Sequence, residues 1–258
     1  MRAIWLTLGA VTTAIALFFT TASLYHGFAD ADPPTETTRR SIPFDAEQVT
    51  IRAEDGDVDI DIVPGEAGEL VVQRSLRWSR QKPRITEEWD GDTLEIGAVC
   101  PGSDRFDGPI CEADYVLMVP PETSVEAGTG TGLLSVRRIR GKVRGTSVSG
   151  DVYLEATSGD VYVRSGSGSV EATDLGGVHA DVEVGSGDVA LAFQETPTDV
   201  RSVVRVVGDV YVRVPSNQVT YNVTTNAPRV DVDVRRSDGS PRRIIAETAE
   251  GHINVCCG

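Results

Sequence analysis

Apolar and polar residues alternate along most of this chain with a period of two, which is the pattern of half-buried β-strands. The segments 49–51 and 58–62 read VTI and VDIDI, and the turn-forming residues 54–57 between them predict a β-hairpin. Two more strands are predicted over 70–78 and 115–119, the second ended by Pro120 and Pro121. The alternation therefore predicts an all-β protein.

The strongest short turn signal is Asp90-Gly91-Asp92, which lies between the alternating segments 85–89 and 93–96. Asp-Gly between two such segments is typical of a tight β-hairpin, because glycine adopts the positive φ angle that the turn needs. We therefore predict an antiparallel pair of strands at this point.

From about residue 126 the chain repeats a short motif, a glycine followed after one residue by Val or Leu. One series has its glycines at positions 132, 150, 168, 187 and 208, and a second series at 141, 159 and 176. The steps within a series are 17 to 21 residues, and the two series are offset by about half a step. We predict a β-helix-like solenoid of rungs of roughly 18–20 residues, with two strands per rung on opposite walls.

Each position of the repeated motif has a structural explanation. Glycine permits a positive φ angle or a close approach of two backbones, and the Asp, Ser or Thr that follows can bond to nearby backbone groups. The closing segment GHINV reads as one more copy. The predicted turn residues are Gly132, Gly150, Asp151, Gly159, Asp160, Gly168, Gly187, Asp188, Gly208, Asp209 and Gly251.

Calcium binding is the alternative explanation for the acidic turn residues, because Asp188 and Asp209 fall on successive rungs and stacked carboxylates suit a hard cation. However, Ser169 and His252 stand where the series would need an acid. A ladder of calcium ligands should not be interrupted in this way. We therefore predict a structural role, and calcium remains the alternative.

The N-terminus contains 23 uncharged residues from Ala3 to Tyr25, which predicts an uncleaved transmembrane helix. Cleavage near Ala31 of a secretory signal is the alternative, since Ala29-Asp30-Ala31 fits a cleavage site. Arg2 before the span places the rest of the chain outside the cytoplasm. The predicted organisation is an anchor or signal over 1–28, a polar linker over 29–45 and a β domain over 46–258. Within that domain, 46–125 is rich in hairpins and 126–258 holds the regular repeats.

Charge and cysteine content narrow the partners. A net charge of −15 excludes nucleic acid as a direct partner. Cys100 and Cys111 flank a short loop rich in Gly, Pro and Asp, which predicts a disulfide in an oxidising compartment. Cys256 and Cys257 are adjacent, and a vicinal ring, a bond between chains and free thiols all remain open. No C-x-x-C motif is present, so we predict neither a metal nor a cofactor.

Catalytic motifs are absent from the sequence: no Ser-His-Asp or Cys-His arrangement, phosphate loop or zinc signature is legible. Tyr153, Tyr162 and Tyr211 could form a carbohydrate platform or be ordinary surface residues of β-strands. Tyr162 belongs to the opposite wall, and the other two lie three rungs apart, so we expect no single aromatic stripe.

Several motifs in a fixed order resemble the bacterial DUF4097 family, whose members carry the description "putative adhesin". They are Asp90-Gly91-Asp92-Thr93-Leu94, Cys100-Pro101, Cys111-Glu112-Ala113-Asp114-Tyr115, the Ser-Gly-Asp-Val repeats at Ser149 and Ser158, and Val207-Gly208-Asp209-Val210. The resemblance covers roughly 47 to 255. It implies a β-helix-like solenoid at the cell envelope, often behind a membrane anchor, without established enzymatic activity.

The sequence therefore predicts a non-catalytic, membrane-anchored, extracytoplasmic protein that acts as an adhesin or binds an envelope component. Its partners would be the membrane, through the N-terminal helix, and an unknown envelope or surface ligand. Self-association through open ends of the solenoid is left open. The alternatives are an accessory or sensor component of an envelope-stress system and a polysaccharide-active β-helix enzyme.

Overall fold

The computed structural model describes residues 11–24, 33–55, 57–100, 110–215 and 219–257. Residues 11–24 form an α-helix, and among the described residues no helix is long and apolar enough to cross a membrane. The predicted transmembrane helix, and with it the predicted single-pass localisation, is therefore wrong. Residues 1–10 and 25–32, which include the cleavage candidate at Ala29–Ala31, lie outside the described part.

The described chain is otherwise built of β-strands joined by turns. In chain order the strands are β1 Thr35–Phe44, β2 Gln48–Asp55, β3 Val58–Pro64, β4 Gly68–Trp78, β5 Arg84–Asp90, β6 Thr93–Val99, β7 Cys111–Val119, β8 Ser124–Thr129, β9 Leu134–Arg137, β10 Val143–Ser147, β11 Val152–Glu155, β12 Val161–Ser167, β13 Val170–Leu175, β14 His179–Ser186, β15 Val189–Phe193, β16 Asp199–Val207, β17 Val210–Val214, β18 Asn222–Asn226, β19 Arg229–Val232, β20 Arg243–Glu250 and β21 His252–Cys257.

These strands form two mixed sheets. The eleven-stranded sheet has the order β1-β4-β7-β3-β9-β11-β13-β15-β17-β21-β19, and the ten-stranded sheet has the order β18-β20-β16-β14-β12-β10-β8-β2-β6-β5. The predicted fold class, a solenoid of uniform two-stranded rungs behind a membrane helix, is thus corrected to an all-β fold of two mixed sheets. Antiparallel pairs β1–β4, β4–β7 and β5–β6 occupy one end, and β20 and β21 are inserted between earlier strands at the other.

Two predicted hairpins have opposite outcomes. Asp90 pairs with Thr93 in the antiparallel hairpin of β5 and β6, and Gly91 has φ 64°, so that prediction is confirmed. The hairpin predicted around residues 54–57 is wrong, because β2 and β3 belong to different sheets. Periodicity placed both strands correctly, but it contains no information on which sheet receives each strand.

Residues 35–44, which the sequence assigns to a polar linker, form β1. This strand runs antiparallel to β4 from the pair Thr35↔Arg77 to the pair Phe44↔Gly68. It is an edge strand with mostly exposed side chains, and only Phe44 is buried. Its polar composition hides it from a search for alternating apolar residues, since an edge strand needs little apolar surface.

The core lies between the two sheets and is filled by the apolar positions of the repeated motif. Val152, Val170, Val189, Val210 and Ile253 occupy equivalent positions on neighbouring parallel strands of the eleven-stranded sheet, and each is at most 1 % exposed. β-Branched side chains pack well on such a pleated surface. Along each strand, the residues that alternate with these buried positions point outward and form the outer faces of the protein.

Candidate functional site

All but one of the glycines predicted at turns stack along one corner of the fold, where the backbones of successive strands approach closely. An added Cβ at any of them would lie 1.9 to 2.7 Å from a carbonyl oxygen of the preceding layer. No side chain fits at such a distance. This column consists of Gly132, Gly150, Gly168, Gly187, Gly208 and Gly251, and Gly159 makes a similar approach to Gly141 at another corner.

The residues after these glycines form a ladder of hydrogen bonds between layers. The backbone N–H of Ser169 donates to Asp151, that of Asp188 to Ser169, and that of Asp209 to Asp188, over 2.7 to 3.2 Å. Asp160 lies at another corner, where its backbone carbonyl accepts from Val143. The carboxylates of Asp151 and Asp188 thus accept hydrogen bonds from backbone N–H groups of the next layer.

The same ladder accounts for the two breaks in the acidic series. The Ser169 hydroxyl takes the place of a carboxylate as acceptor, and the N–H of His252 ends the ladder on Asp209. Across the described residues, no group of three or more His, Cys, Asp or Glu side chains is arranged to hold a metal ion.

The cysteines fall into two pairs of different character. Cys100 and Cys111 form a disulfide, as predicted. The loop between them, residues 101–109, lies outside the described part. Cys256 and Cys257 are free thiols at the end of β21, the first half-buried and the second exposed.

The candidate site is a groove of about 240 Å³ on the outer face of the eleven-stranded sheet. Its floor lies over β15, where the outward residues are Ala190 and Ala192. Small side chains at two consecutive outward positions leave a depression between the larger side chains of β13 and β17. The groove is lined by Glu171, Ala172, Thr173, Ala190, Leu191, Ala192, Tyr211, Val212, Arg213, Asn254 and Cys256.

Two exposed tyrosines belong to one row that crosses this face. Pairing places Tyr153, Glu171, Ala190 and Tyr211 opposite one another on four successive strands. The two tyrosine side chains are 44 % and 43 % exposed. They are three strand spacings apart, about 14 Å at ~4.8 Å per strand. As expected, the three tyrosines form no continuous aromatic stripe, because Glu171 and Ala190 separate Tyr153 from Tyr211, but these two tyrosines share one row.

Hydrogen bonds to carboxylates orient both rings. The Tyr153 hydroxyl donates to Glu171, and the Tyr211 hydroxyl donates to Asp209 over 3.0 Å. Each bond stabilises the protonated phenol, so the pKa of Tyr153 is raised by Glu171 and the pKa of Tyr211 is raised by Asp209. Both rings therefore have a fixed hydroxyl and an exposed face.

Sequence reasoning missed the small and polar members of this site. Alternation shows that Ala190, Ala192, Arg213 and Asn254 point outward, and two small outward residues in succession are the available signal for a depression. Their position relative to Tyr153 depends on the register of the strands. The number of residues between paired positions differs from one strand pair to the next, so the register is known only from the observed pairing.

Tyr162 lies on the ten-stranded sheet, as expected, in a different environment. The Lys142 ammonium and the Arg144 guanidinium lie 5.6 and 5.3 Å from its ring centre. Further along the same face, an ion network links Arg164, Asp181, Arg201, Glu183 and Arg205 over 2.7 to 3.1 Å. Hydrogen bonds from Arg205 and Arg201 lower the pKa of Glu183 to about 2. These charges are compensated within the network, so this face offers less to a ligand.

Comparison with known proteins found no matching family model and no matching curated protein. Membership of the DUF4097 family therefore stays a prediction. Solved structures to which the chain is similar include a "putative cell adhesion protein" from Clostridium sporogenes. The two are 14 % identical over 88 % of this chain and 100 % of that chain, with a TM-score of 0.41.

Two other solved structures have the same level of similarity. A "putative adhesin" from Bacteroides fragilis is 14 % identical over 85 % of this chain and 97 % of that chain, with a TM-score of 0.47. A "putative lipid binding protein" from Parabacteroides distasonis is 13 % identical over 85 % and 96 %, with a TM-score of 0.37.

Proposed function

We propose that the chain is a non-catalytic, adhesin-type binding protein that holds a linear, uncharged glycan in the groove of the eleven-stranded sheet. The observation that carries this proposal is the row Tyr153–Glu171–Ala190–Tyr211, in which two exposed rings flank a depression with polar groups on its walls.

The chemistry of the row matches an amphipathic ligand. A tyrosine ring offers an apolar face to the C–H surface of a sugar. Glu171, Arg213 and Asn254 line the groove and supply acceptors and donors for sugar hydroxyls. A shallow apolar floor with a few polar groups is typical of a site that fixes the orientation of a ligand.

The spacing of the two rings and the net charge of the chain restrict the class of ligand further. Rings about 14 Å apart, three strand spacings, suit an extended ligand of several sugar units laid across the strands. A net charge of −15 repels polyanions, which favours an uncharged glycan.

The groove is better suited to binding than to hydrolysis. Among its lining residues, all of which the structure describes, Glu171 is the single carboxylate. Glycoside hydrolysis by the usual mechanisms needs a pair of carboxyl groups on the two sides of the scissile bond. We do not propose a role as an accessory component that contacts a membrane partner through its anchor. That role depends on the predicted transmembrane helix, and the described residues contain no helix able to cross a membrane.

A panel of immobilised linear oligosaccharides, uncharged and acidic, tests the proposal with the purified full-length chain. Tyr211→Ala removes one ring of the row, and Tyr162→Ala removes a partly exposed ring from the other sheet as the matched control. We expect binding to an uncharged oligosaccharide, weakened about tenfold, or ~1.4 kcal/mol, by Tyr211→Ala and unchanged by Tyr162→Ala. No binding to any member of the panel, or equal loss in both variants, contradicts the proposal.

A further inference from the structure

The last two strands of the chain are internal strands of the two sheets. β20 lies between β16 and β18, and β21 lies between β17 and β19, although β18 and β19 precede them in the sequence. The C-terminal segment 243–257 therefore fills a slot whose two sides are formed by earlier parts of the chain. Without this segment, each of the four flanking strands would expose an unpaired edge.

The slot is complementary to this segment in both backbone and side chains. β20 and β21 pair in parallel with their neighbours on both sides. Ile244, Ala246, Ile253 and Val255 of the segment are fully buried. Because the side-chain period of a strand is two, a shift by one residue would turn these apolar groups to the outside, so the slot selects one register.

The outermost strands depend on the C-terminal segment. Within the described part of the chain, β18 pairs only with β20, and β19 pairs only with β21. The side chains of β18 and β19 are exposed or half-buried, so these strands bury little apolar surface of their own. The segment 243–257 thus joins the outer strands to the rest of the fold.

The connection that precedes this segment has the features of a hinge. Residues 237–242 form a surface turn, and Gly239 has open space around it. Its hydrogen bonds to the preceding segment go to residues 220–222. The Ser240 hydroxyl donates to the Thr220 carbonyl over 2.6 Å, and the Asn222 amide donates to the Asp238 carbonyl over 3.1 Å. Two backbone bonds, from the Ser237 N–H to the Tyr221 carbonyl and from the Asn222 N–H to the Arg242 carbonyl, complete this attachment over 2.9 and 2.8 Å. Surface contacts of this kind break in local opening, well before the sheets unfold.

We propose that residues 243–257 of one copy of this chain occupy the same slot of a second copy, so that the protein associates by strand exchange. The second copy presents the same four flanking strands, so exchange restores the backbone pairing and core packing of the monomer and changes only the hinge. The closed monomer and the exchanged dimer are then in competition. Within one chain the segment has a high effective concentration near its own slot, so the dimer forms only when the chain concentration is high enough to compete. The proposal does not rest on the glycan groove, although the segment contributes Asn254 and Cys256 to its lining.

Arg213 and Cys256 are opposite each other on β17 and β21 and both face outward, which allows a covalent readout. Neighbouring strands lie about 4.8 Å apart, within the range that a disulfide spans. In the double variant Arg213→Cys/Cys257→Ser, oxidation links the two thiols within one chain if the segment is closed. The same oxidation links two chains if the segment is exchanged.

The experiment unfolds this full-length double variant in denaturant with reductant, refolds it at a series of concentrations and then oxidises it. Intact mass and non-reducing electrophoresis measure the covalent dimer. We expect the dimer fraction to rise about tenfold for each tenfold rise in concentration while it is small. The control is Ser135→Cys/Cys257→Ser, whose new thiol lies on the same outer face but does not pair with Cys256. Covalent monomer at every concentration, or equal dimer in this control, overturns the proposal.

A second variant tests the hinge directly. Deletion of Asp238 and Gly239 shortens the turn, so the segment should reach its own slot less readily and the slot of a second chain more readily. We expect a dimer by light scattering at concentrations where the unaltered chain is a monomer. A folded monomer counts against exchange, and if the deletion prevents folding, the concentration series decides.

Discussion

The backbone N–H of His252 donates to the carboxylate of Asp209 over 2.8 Å, and this bond ties the last strand of the chain to the layer before it. The bond holds the pKa of Asp209 below its ordinary value, because it favours the charged carboxylate. It also joins β21 to the ladder that begins at Asp151, so His252 continues the role of the acidic residues through its backbone.

Substitutions at Asp209 should separate the acceptor from the charge. We expect Asp209→Ala to lower the free energy of unfolding by about 1 kcal/mol, because the His252 N–H loses its acceptor. Asp209→Asn keeps an acceptor oxygen and should cost less. Urea denaturation of the two variants measures the difference. Equal stability of both variants and the unaltered chain would show that the ladder contributes nothing.

Gly208→Ala should be among the most destabilising single changes in the repeats. Gly208 has φ +145°, and an added Cβ would lie 2.1 Å from the Gly187 carbonyl oxygen. The backbones of two layers would have to separate, at a cost of about 3 kcal/mol or more in the free energy of unfolding. Gly239→Ala is the matched control, since its added Cβ meets open space. Thermal melts that show similar losses for both would contradict this account.

The sequence predicted the local structure of the repeats better than their assembly. Gly150 and Asp151 were recognised as turn residues because their conformational and hydrogen-bonding properties are local. The alternation of Val152 and Leu154 likewise gave the buried face of β11. By contrast, the position of β20 and β21 between earlier strands depends on long-range pairing, and nothing in the motif at Gly251 distinguishes an inserted strand from a terminal one.

The candidate groove could not be predicted from the sequence, because it too depends on long-range strand pairing. Tyr153 and Tyr211 were identified individually, but the row that contains both depends on the register of three successive pairings. The N-terminal prediction failed differently. Residues 3–25 were judged by length and lack of charge, whereas the described helix covers only residues 11–24.

Loss of the disulfide should destabilise the end of the fold that contains the antiparallel strands. The bond between Cys100 and Cys111 joins the end of β6 to the start of β7 across a sequence separation of 11 residues. Closure of a short loop of this kind stabilises a protein by about 2–3 kcal/mol. We expect Cys100→Ser/Cys111→Ser to melt at a lower temperature and to be insensitive to reductant. If reductant leaves the melting temperature of the unaltered chain unchanged, the disulfide does not stabilise this end.

Acid should destabilise the protein through Glu183. Its pKa of about 2 in the folded state lies below its ordinary value, because Arg205 and Arg201 donate to the charged carboxylate. The unfolded chain therefore takes up the proton first, so the stabilisation is complete above about pH 5 and is lost as the pH falls toward 2. Asp114 acts in the opposite sense, since burial and the neighbouring Asp59 and Glu112 raise its pKa.

Glu183→Gln tests this origin of the acid sensitivity. Between about pH 5 and pH 2, the free energy of unfolding of the variant should fall by about 1 kcal/mol less than that of the unaltered chain. This value allows for solvent screening, because Arg205 is half-exposed. Glu88→Gln, which removes an exposed carboxylate of β5, is the control and should leave the slope unchanged. Urea denaturation midpoints at a series of pH values measure the slopes. Parallel slopes for all three proteins would assign the acid sensitivity to groups other than Glu183.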